Sequence, residues 1–202
     1  MLDEVLIIDD LLSQEDQDEI KQAMFSSRPM WSIIEDVASG NYGSSKKTPG
    51  ISTLLYSEKQ NMSLNDDILK MVLKIPIESC KKIKVNASLI QARSFVHFPL
   101  REELRKKYDV IHVDIPQQHL VCLYYVNDSD GDTVLFSQTT NDVPLPKDTS
   151  CIFDESLFTE FKRVTPKKGR VVLFDGNRYH CSSGPTKDLR CVINFNLIFI
   201  PQ

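Results

Sequence analysis

Among the five cysteines, at positions 80, 122, 151, 181 and 191, no C-x-x-C pair occurs, and their number is odd. That pattern excludes a cage of paired cysteines for zinc and a disulfide framework, and it suits a reducing compartment. Positive charge is not in excess either. A formal net charge of −4 runs against a phosphate backbone as the main partner, because nucleic-acid binding wants a net basic face. The scattered clusters "CKKIK" and "PKKGR" read as solvated surface. No apolar run approaches the roughly 18 residues of a membrane span. The opening "MLDEVLIIDDLL" is acidic around a short apolar run, so it does not read as a secretory signal. Heptads, internal repeats and low-complexity tracts are missing too. These absences leave a chain expected to be soluble and cytoplasmic, with neither membrane nor nucleic acid as partner, and nothing in them fixes an oligomeric state.

What is present is 202 residues, 41% of them hydrophobic. That is enough for a substantial core without covalent staples, and too much for a disordered chain. Two helical stretches come first. "LLSQEDQDEIKQAM" offers Ser13 as N-cap, acids in the first turn, and Ile20 and Met24 one turn apart. "SLNDDILKMVLKIP" offers Ser63 or Asn65 as cap and a stripe of Ile68, Leu69 and Val72, with Pro76 expected to stop it. Between them, residues 39–50, ending in "GNYGSSKKTPG", read as a long loop and a candidate substrate lid.

From about residue 83 the period changes to two. "IKVNASLIQARSFVHF", "HLVCLYYVN", "DTVLFS", "GRVVLFD" and "RCVINFNLIFI" are short β-branched and aromatic runs separated by Asp, Gly, Asn or Pro. The expectation is one domain over 1–202, mainly β with flanking α. Residues 1–81 would be helical and loop support, and 82–202 a jelly-roll core.

The stretch "VIHVDIPQQHLVCLYYVNDSDGDTVLF" (110–136) carries the chemistry. In an extended strand, residues i and i+2 point to one face. His112 and Asp114 therefore project together, with Val113 turned away. The only other histidines are His97, His119 and His180, and His180 follows a strand and turn in "GRVVLFDGNRYH". Two imidazoles and one carboxylate on one face make the facial triad of non-haem iron oxygenases, which leaves open positions on the metal. Arg190, ten residues beyond His180, carries the planar fork that suits a carboxylate. His119, just past Pro116, reads as a solvated turn histidine, and His97 as a strand-end or pocket residue. Cys181 and Cys191 fall on the opposite strand face from their neighbours and read as small buried hydrophobes. Trp31 reads as helix-to-sheet packing.

Taken in order, "HVD" followed by Pro116, "LVCLYYVND", "GDT", "TPKKGRVVLFDGNRYH" and a final arginine resemble the Fe(II)/2-oxoglutarate-dependent dioxygenases. The branch is the prolyl-4-hydroxylase-like one, with its small bacterial and bacteriophage members. The resemblance covers 82–200 and implies a double-stranded β-helix. It assigns iron to His112, Asp114 and His180, and the distal carboxylate of 2-oxoglutarate to Arg190. It also singles out Tyr125, rather than Tyr124, as support for that carboxylate. The implied reactants are Fe(II), 2-oxoglutarate and O2, with ascorbate as an optional addition. The implied reaction is hydroxylation of a C–H bond in a peptide or small molecule, a prolyl residue first, with release of succinate and CO2. Asp114 argues for hydroxylation, since related halogenases lose that carboxylate. Two departures stand out. "PLREELRKKYDV" is a charged insertion where relatives place a polar co-substrate contact, leaving Asn86, Gln91 or Arg93 as substitutes, and "GDT" replaces a "GGxT"-like turn. The rival class is a cupin-like metal-binding module without oxygenase activity, which has no need of Arg190 and Tyr125 together.

Overall fold

Two antiparallel sheets face each other in the computed structural model, which describes residues 2, 4–34, 49–104, 107–147, 151–152 and 154–200. The strands are β1 (Leu6–Ile8), β2 (Ser32–Ile34), β3 (Gly50–Ser57), β4 (Ala87–His97), β5 (Ile111–His112), β6 (Leu120–Tyr125), β7 (Thr133–Thr139), β8 (Cys151–Ile152), β9 (Glu160–Val164), β10 (Val171–Asp175), β11 (Arg178–Ser182) and β12 (Arg190–Phe199). The larger sheet runs β1-β10-β6-β12-β4-β3-β2 and the smaller β8-β5-β11-β7-β9. Interleaved strands from distant parts of the chain make this a jelly roll, mainly β with flanking helices.

Helix α1 (Gln14–Met24) starts where Ser13 accepts from the Asp16 backbone N–H at 3.1 Å, and it buries Ile20 and Met24. Helix α2 (Asp66–Val72) buries Ile68 and Val72. Pro76 does not end this helical region. It sits in the first turn of a third helix, α3 (Lys74–Ile83), where the backbone N–H would have no intrahelical partner anyway, so proline costs little. The helix ends at Lys84, in the left-handed region with φ 57°, after which β4 begins. No helix of the described residues is long and apolar enough to cross a membrane.

The N-terminal 81 residues are more than helical support. They also supply β1, β2 and β3, at both edges of the larger sheet. The helix-facing core draws Ile8, Ile20, Met24, Leu55 and Ile75 together with Tyr124, Cys191, Ile193 and Phe195. The opposite face of the same sheet buries Val121, Leu123, Tyr125, Phe174 and Val192 against Leu135 of the smaller sheet. Val113, Phe136, Tyr179 and Cys181 form a third cluster. The alternation therefore holds for both cysteines: Cys191 joins the helix-facing core and Cys181 the third cluster. Trp31 packs at the edge of the helix-facing core. Residues 39–48 of the expected lid lie outside the described residues.

Candidate metal centre

Strands β5 and β11 pair so that His112 and His180 stand directly opposite each other, with ring centroids 4.6 Å apart. Strand β5 ends at His112. Two residues on, Asp114 turns to the same side while Val113 is fully buried among the third cluster. The three side chains bring one ligand atom each to within 4.8 Å of one another. Asp114 Oδ1 lies 3.8 Å from His112 Nε2 and 3.7 Å from His180 Nε2. Each imidazole is oriented by its own backbone: Nδ1 lies 2.9 Å from the Val110 carbonyl in His112 and 3.2 Å from the Arg178 carbonyl in His180. A carbonyl only accepts, so Nδ1 carries the hydrogen and the Nε2 lone pair faces the cluster, which is the tautomer a metal needs.

Protonation states agree. Burial, then the neighbouring His180, pulls the His112 pKa down to about 4, so the ring is neutral at pH 7. Burial pushes the Asp114 carboxyl upward, but the two imidazoles and Asn194 outweigh it and hold the group below the ordinary carboxylate range. Asn194 Nδ2 donates to Asp114 Oδ2 at 2.9 Å, leaving Oδ1 to face the histidines. Phe174 packs edge-on against His180 at 5.0 Å. The donor set, two imidazole Nε2 atoms facing the cluster and an ionised oxygen, suits a divalent ion such as Fe(II).

A cavity of about 100 Å³ joins this cluster to Arg190. Arg190 is buried, and it donates from Nε to the Gly131 carbonyl and from Nη2 to Thr133 Oγ1, both at 2.8 Å. Two of its five N–H groups are thereby used, and among the described residues no carboxylate forms an ion pair with it. The Tyr125 hydroxyl donates to Thr133 Oγ1 at 2.7 Å, with the Val164 carbonyl a more distant acceptor at 3.4 Å. Tyr125 is not among the side chains lining the cavity; Thr133 is. Tyr124 faces the helices instead.

Thr133, Asn194 and His97 are cavity-lining residues to which the sequence reading gave no role or only a loose one. His97 stands beside Arg190 in the β4–β12 ladder, and its buried Nδ1 has no partner among the described residues. Burial and the positive charge of Arg190 keep it well below the ordinary histidine range. His119 is not a solvated turn residue. It is completely buried, and its ring lies so close over Gly176 that a Cβ there would overlap it. Its Nδ1 takes the Gln117 carbonyl at 2.8 Å, and it stands outside the three-residue cluster. Of the substitutes for the upstream contact, Arg93 and Gln91 lie on β4 and Asn86 precedes it; none lines the cavity.

No family model and no curated protein matches the sequence. Solved structures match across almost all of it. An oxidoreductase of the 2OG-Fe(II) oxygenase family from Burkholderia pseudomallei superposes with a TM-score of 0.64 at 9% identity, covering 96% of this chain and 84% of its own. The non-haem alpha-ketoglutarate-dependent epimerase SnoN from nogalamycin biosynthesis gives 0.63 at 12% identity, covering 96% and 78%. A prolyl hydroxylase from Trichoplax adhaerens, solved with a peptide fragment of hypoxia inducible factor, gives 0.58 at 12% identity, covering 96% and 83%. The chain has the fold of the 2OG-Fe(II) oxygenases.

Proposed function

We propose that residues 1–202 work as one Fe(II)- and 2-oxoglutarate-dependent dioxygenase domain that hydroxylates a C–H bond. The observation that carries this reading is the joint geometry: two imidazoles and a carboxylate converge at one end of a small cavity, and at the other stands a buried arginine that forms no ion pair with a carboxylate among the described residues. A cupin-like metal module has a use for the first end and none for the second.

His112, Asp114 and His180 would hold the iron. Bound there, iron and 2-oxoglutarate supply the oxidative chemistry, in which O2 and 2-oxoglutarate become succinate and CO2 and one oxygen atom enters a substrate C–H bond. The chain's own residues then do four things. The backbone carbonyls of Val110 and Arg178 fix the imidazole tautomers. Asn194 fixes the Asp114 carboxylate. Phe174, Val121, Leu123 and Val192 line the cavity with apolar surface that keeps water out. At the far end, Arg190 offers its remaining N–H groups to the distal carboxylate. Thr133 accepts from both Arg190 and Tyr125, so its two lone pairs are occupied and its single proton is left to donate to the same carboxylate. Tyr125 thus acts through Thr133.

The substrate belongs to the peptide or small-molecule class. One neighbour of this fold holds a peptide fragment and another is an epimerase, so the fold alone selects neither a prolyl residue nor a metabolite. Five free cysteines fit a reducing cytoplasm, where we place the protein. The test is anaerobic titration with Fe(II) and 2-oxoglutarate, watching the weak visible metal-to-ligand charge-transfer band. The band is expected in the native protein and absent in His112→Ala. Iron binding without a band on adding 2-oxoglutarate would return the cupin-like module to first place.

A further inference from the structure

The cavity-side face of the larger sheet changes character along β4 and β12. Near Arg190 it carries Phe95 and Val192. Beyond these, four polar side chains form a two-by-two block, since the register sets Arg93 opposite Asn194 and Gln91 opposite Asn196. Directly opposite residues share a face, and the period of two keeps all four on the side of Phe95 and Arg190. Ala92 and Phe195, between them, take the helix-facing side and are fully buried.

Two oxygens in this block are orphans. Asn196 is 1% exposed, and its Oδ1 has no partner among the described residues; Asn194 Oδ1 is buried in the same condition. The Asn194 amide cannot be turned round to relieve this. Its Nδ2 is committed to Asp114 Oδ2, and a carboxylate accepts but does not donate, so Oδ1 must be the free acceptor. Arg93 is exposed, and no carboxylate pairs with it among the described residues. Gln91 and Arg93, candidates from the sequence for a co-substrate contact, do not line the iron cavity, and nothing in the iron and co-substrate reading uses Asn196.

We infer that this block receives the substrate, and that the substrate is a small carboxylic acid bearing an amino or hydroxyl group beside its carboxylate, an α-amino acid being the simplest case. The inference rests on the oxygenase reading above. Buried acceptor oxygens call for N–H or O–H donors, and an unpaired guanidinium calls for a carboxylate. Side chains directly opposite on antiparallel strands start about 5 Å apart at Cβ, which matches a donor and an anion carried on neighbouring atoms of one molecule. A mid-chain peptide segment brings amide donors but no anion for Arg93, and so fits half the block. Because Asn194 also holds Asp114, a substrate bound here lies beside the metal ligands.

The test is anaerobic calorimetry of the Fe(II)- and 2-oxoglutarate-loaded protein, in which no turnover occurs. The probes are the free L-amino acids, their carboxamides, and a proline peptide blocked at both ends. At least one free acid is expected to bind ten-fold or more tightly than its carboxamide. Arg93→Gln, an exposed and fold-neutral change, is expected to weaken the acid ten-fold, leave the carboxamide unchanged, and leave the charge-transfer band intact. Equal affinity of the acid for Arg93→Gln and the native protein would overturn the inference. So would a blocked peptide that outcompetes every free acid, or a protein that shows the band and binds none of the acids. Absence of the band in the native protein is a separate failure, that of the oxygenase reading on which the substrate class depends.

Discussion

Strand β12 shows two kinds of surface one residue apart. Cys191, Ile193, Phe195 and Leu197 face the helices and belong to a continuous apolar core. Arg190, Val192, Asn194 and Asn196 share the other face, where, among the described residues, a buried arginine forms no ion pair and two asparagine oxygens have no hydrogen-bond partner. Apart from the partly exposed Asn194, the residues of both faces are buried, so exposure does not explain the difference. The helix side is made of residues that gain from leaving water. The cavity side keeps polar groups buried at a cost, which a ligand of complementary chemistry would remove. Changes to the helix side should therefore cost stability and spare binding, and changes to the cavity side should cost binding without costing stability.

The largest effect expected from the cavity side is Asp114→Ala. Succinate release should fall below about one-thousandth of native turnover, because the carboxylate is one of the three proposed ligands, while circular dichroism melts stay within a few degrees of native. Substantial residual turnover would break the triad assignment. From the helix side, Phe195→Ala should cost roughly 3–5 kcal/mol in denaturant unfolding, as large-to-small core changes do, with iron affinity per folded molecule unchanged. Arg190→Ala comes next. Its 2-oxoglutarate requirement should rise about 100-fold, roughly 2.7 kcal/mol, with iron affinity moving far less. An unchanged requirement would mean that another cation holds the carboxylate.

Titration separates the faces more gently. In the folded, metal-free protein, His97, His119 and His112 all sit below the ordinary histidine value, chiefly through burial. The unfolded chain therefore binds more protons as pH falls from about 6.5 toward 4, and stability falls with it. The depressed carboxyl of Asp114 has the opposite arrangement. Its contribution is present above the ordinary carboxylate value and is lost only as pH drops further, through its folded pKa, so it does not shape that window. Metal-free melts should lose roughly 5 °C between pH 7 and pH 5. His97→Asn should flatten the slope and Phe195→Ala should not.

How much of this was legible in the sequence follows from where the signals lie. The five C-terminal strand runs were visible because each is rich in β-branched, aliphatic or aromatic residues and is bounded by Asp, Gly, Asn or Pro. Strands β1 and β2 have only three residues each, too short for a period to show, and α3 was hidden because Pro76 reads as a stop unless it falls in a first turn. His112 and Asp114 were a local i, i+2 pair, whereas choosing His180 needed a resemblance, since antiparallel register between β5 and β11 is a long-range fact. His119 was misjudged for the same reason: the residue that shelters it, Gly176, is remote in sequence. Asn194 and Asn196 did carry a local signal. They continue the alternation that starts at Arg190, and polar residues on the inward phase of a core strand are out of place unless something uses them.

That anomaly gives the smallest and most discriminating of these tests. Asn196 is as buried as Phe195 beside it, yet its Oδ1 lacks a partner among the described residues. Replacing it with leucine removes an unsatisfied acceptor and adds apolar area of similar size, so Asn196→Leu should raise stability by about 1 kcal/mol. If the polar block receives the substrate, the same variant should weaken binding of the free acid several-fold while leaving the 2-oxoglutarate requirement and the charge-transfer band alone. A gain in stability together with a loss of affinity would show a protein that keeps a costly group for its ligand. A loss of stability would mean that Asn196 is satisfied by something within the fold, and the contrast between the two faces of β12 would then end at Asn194.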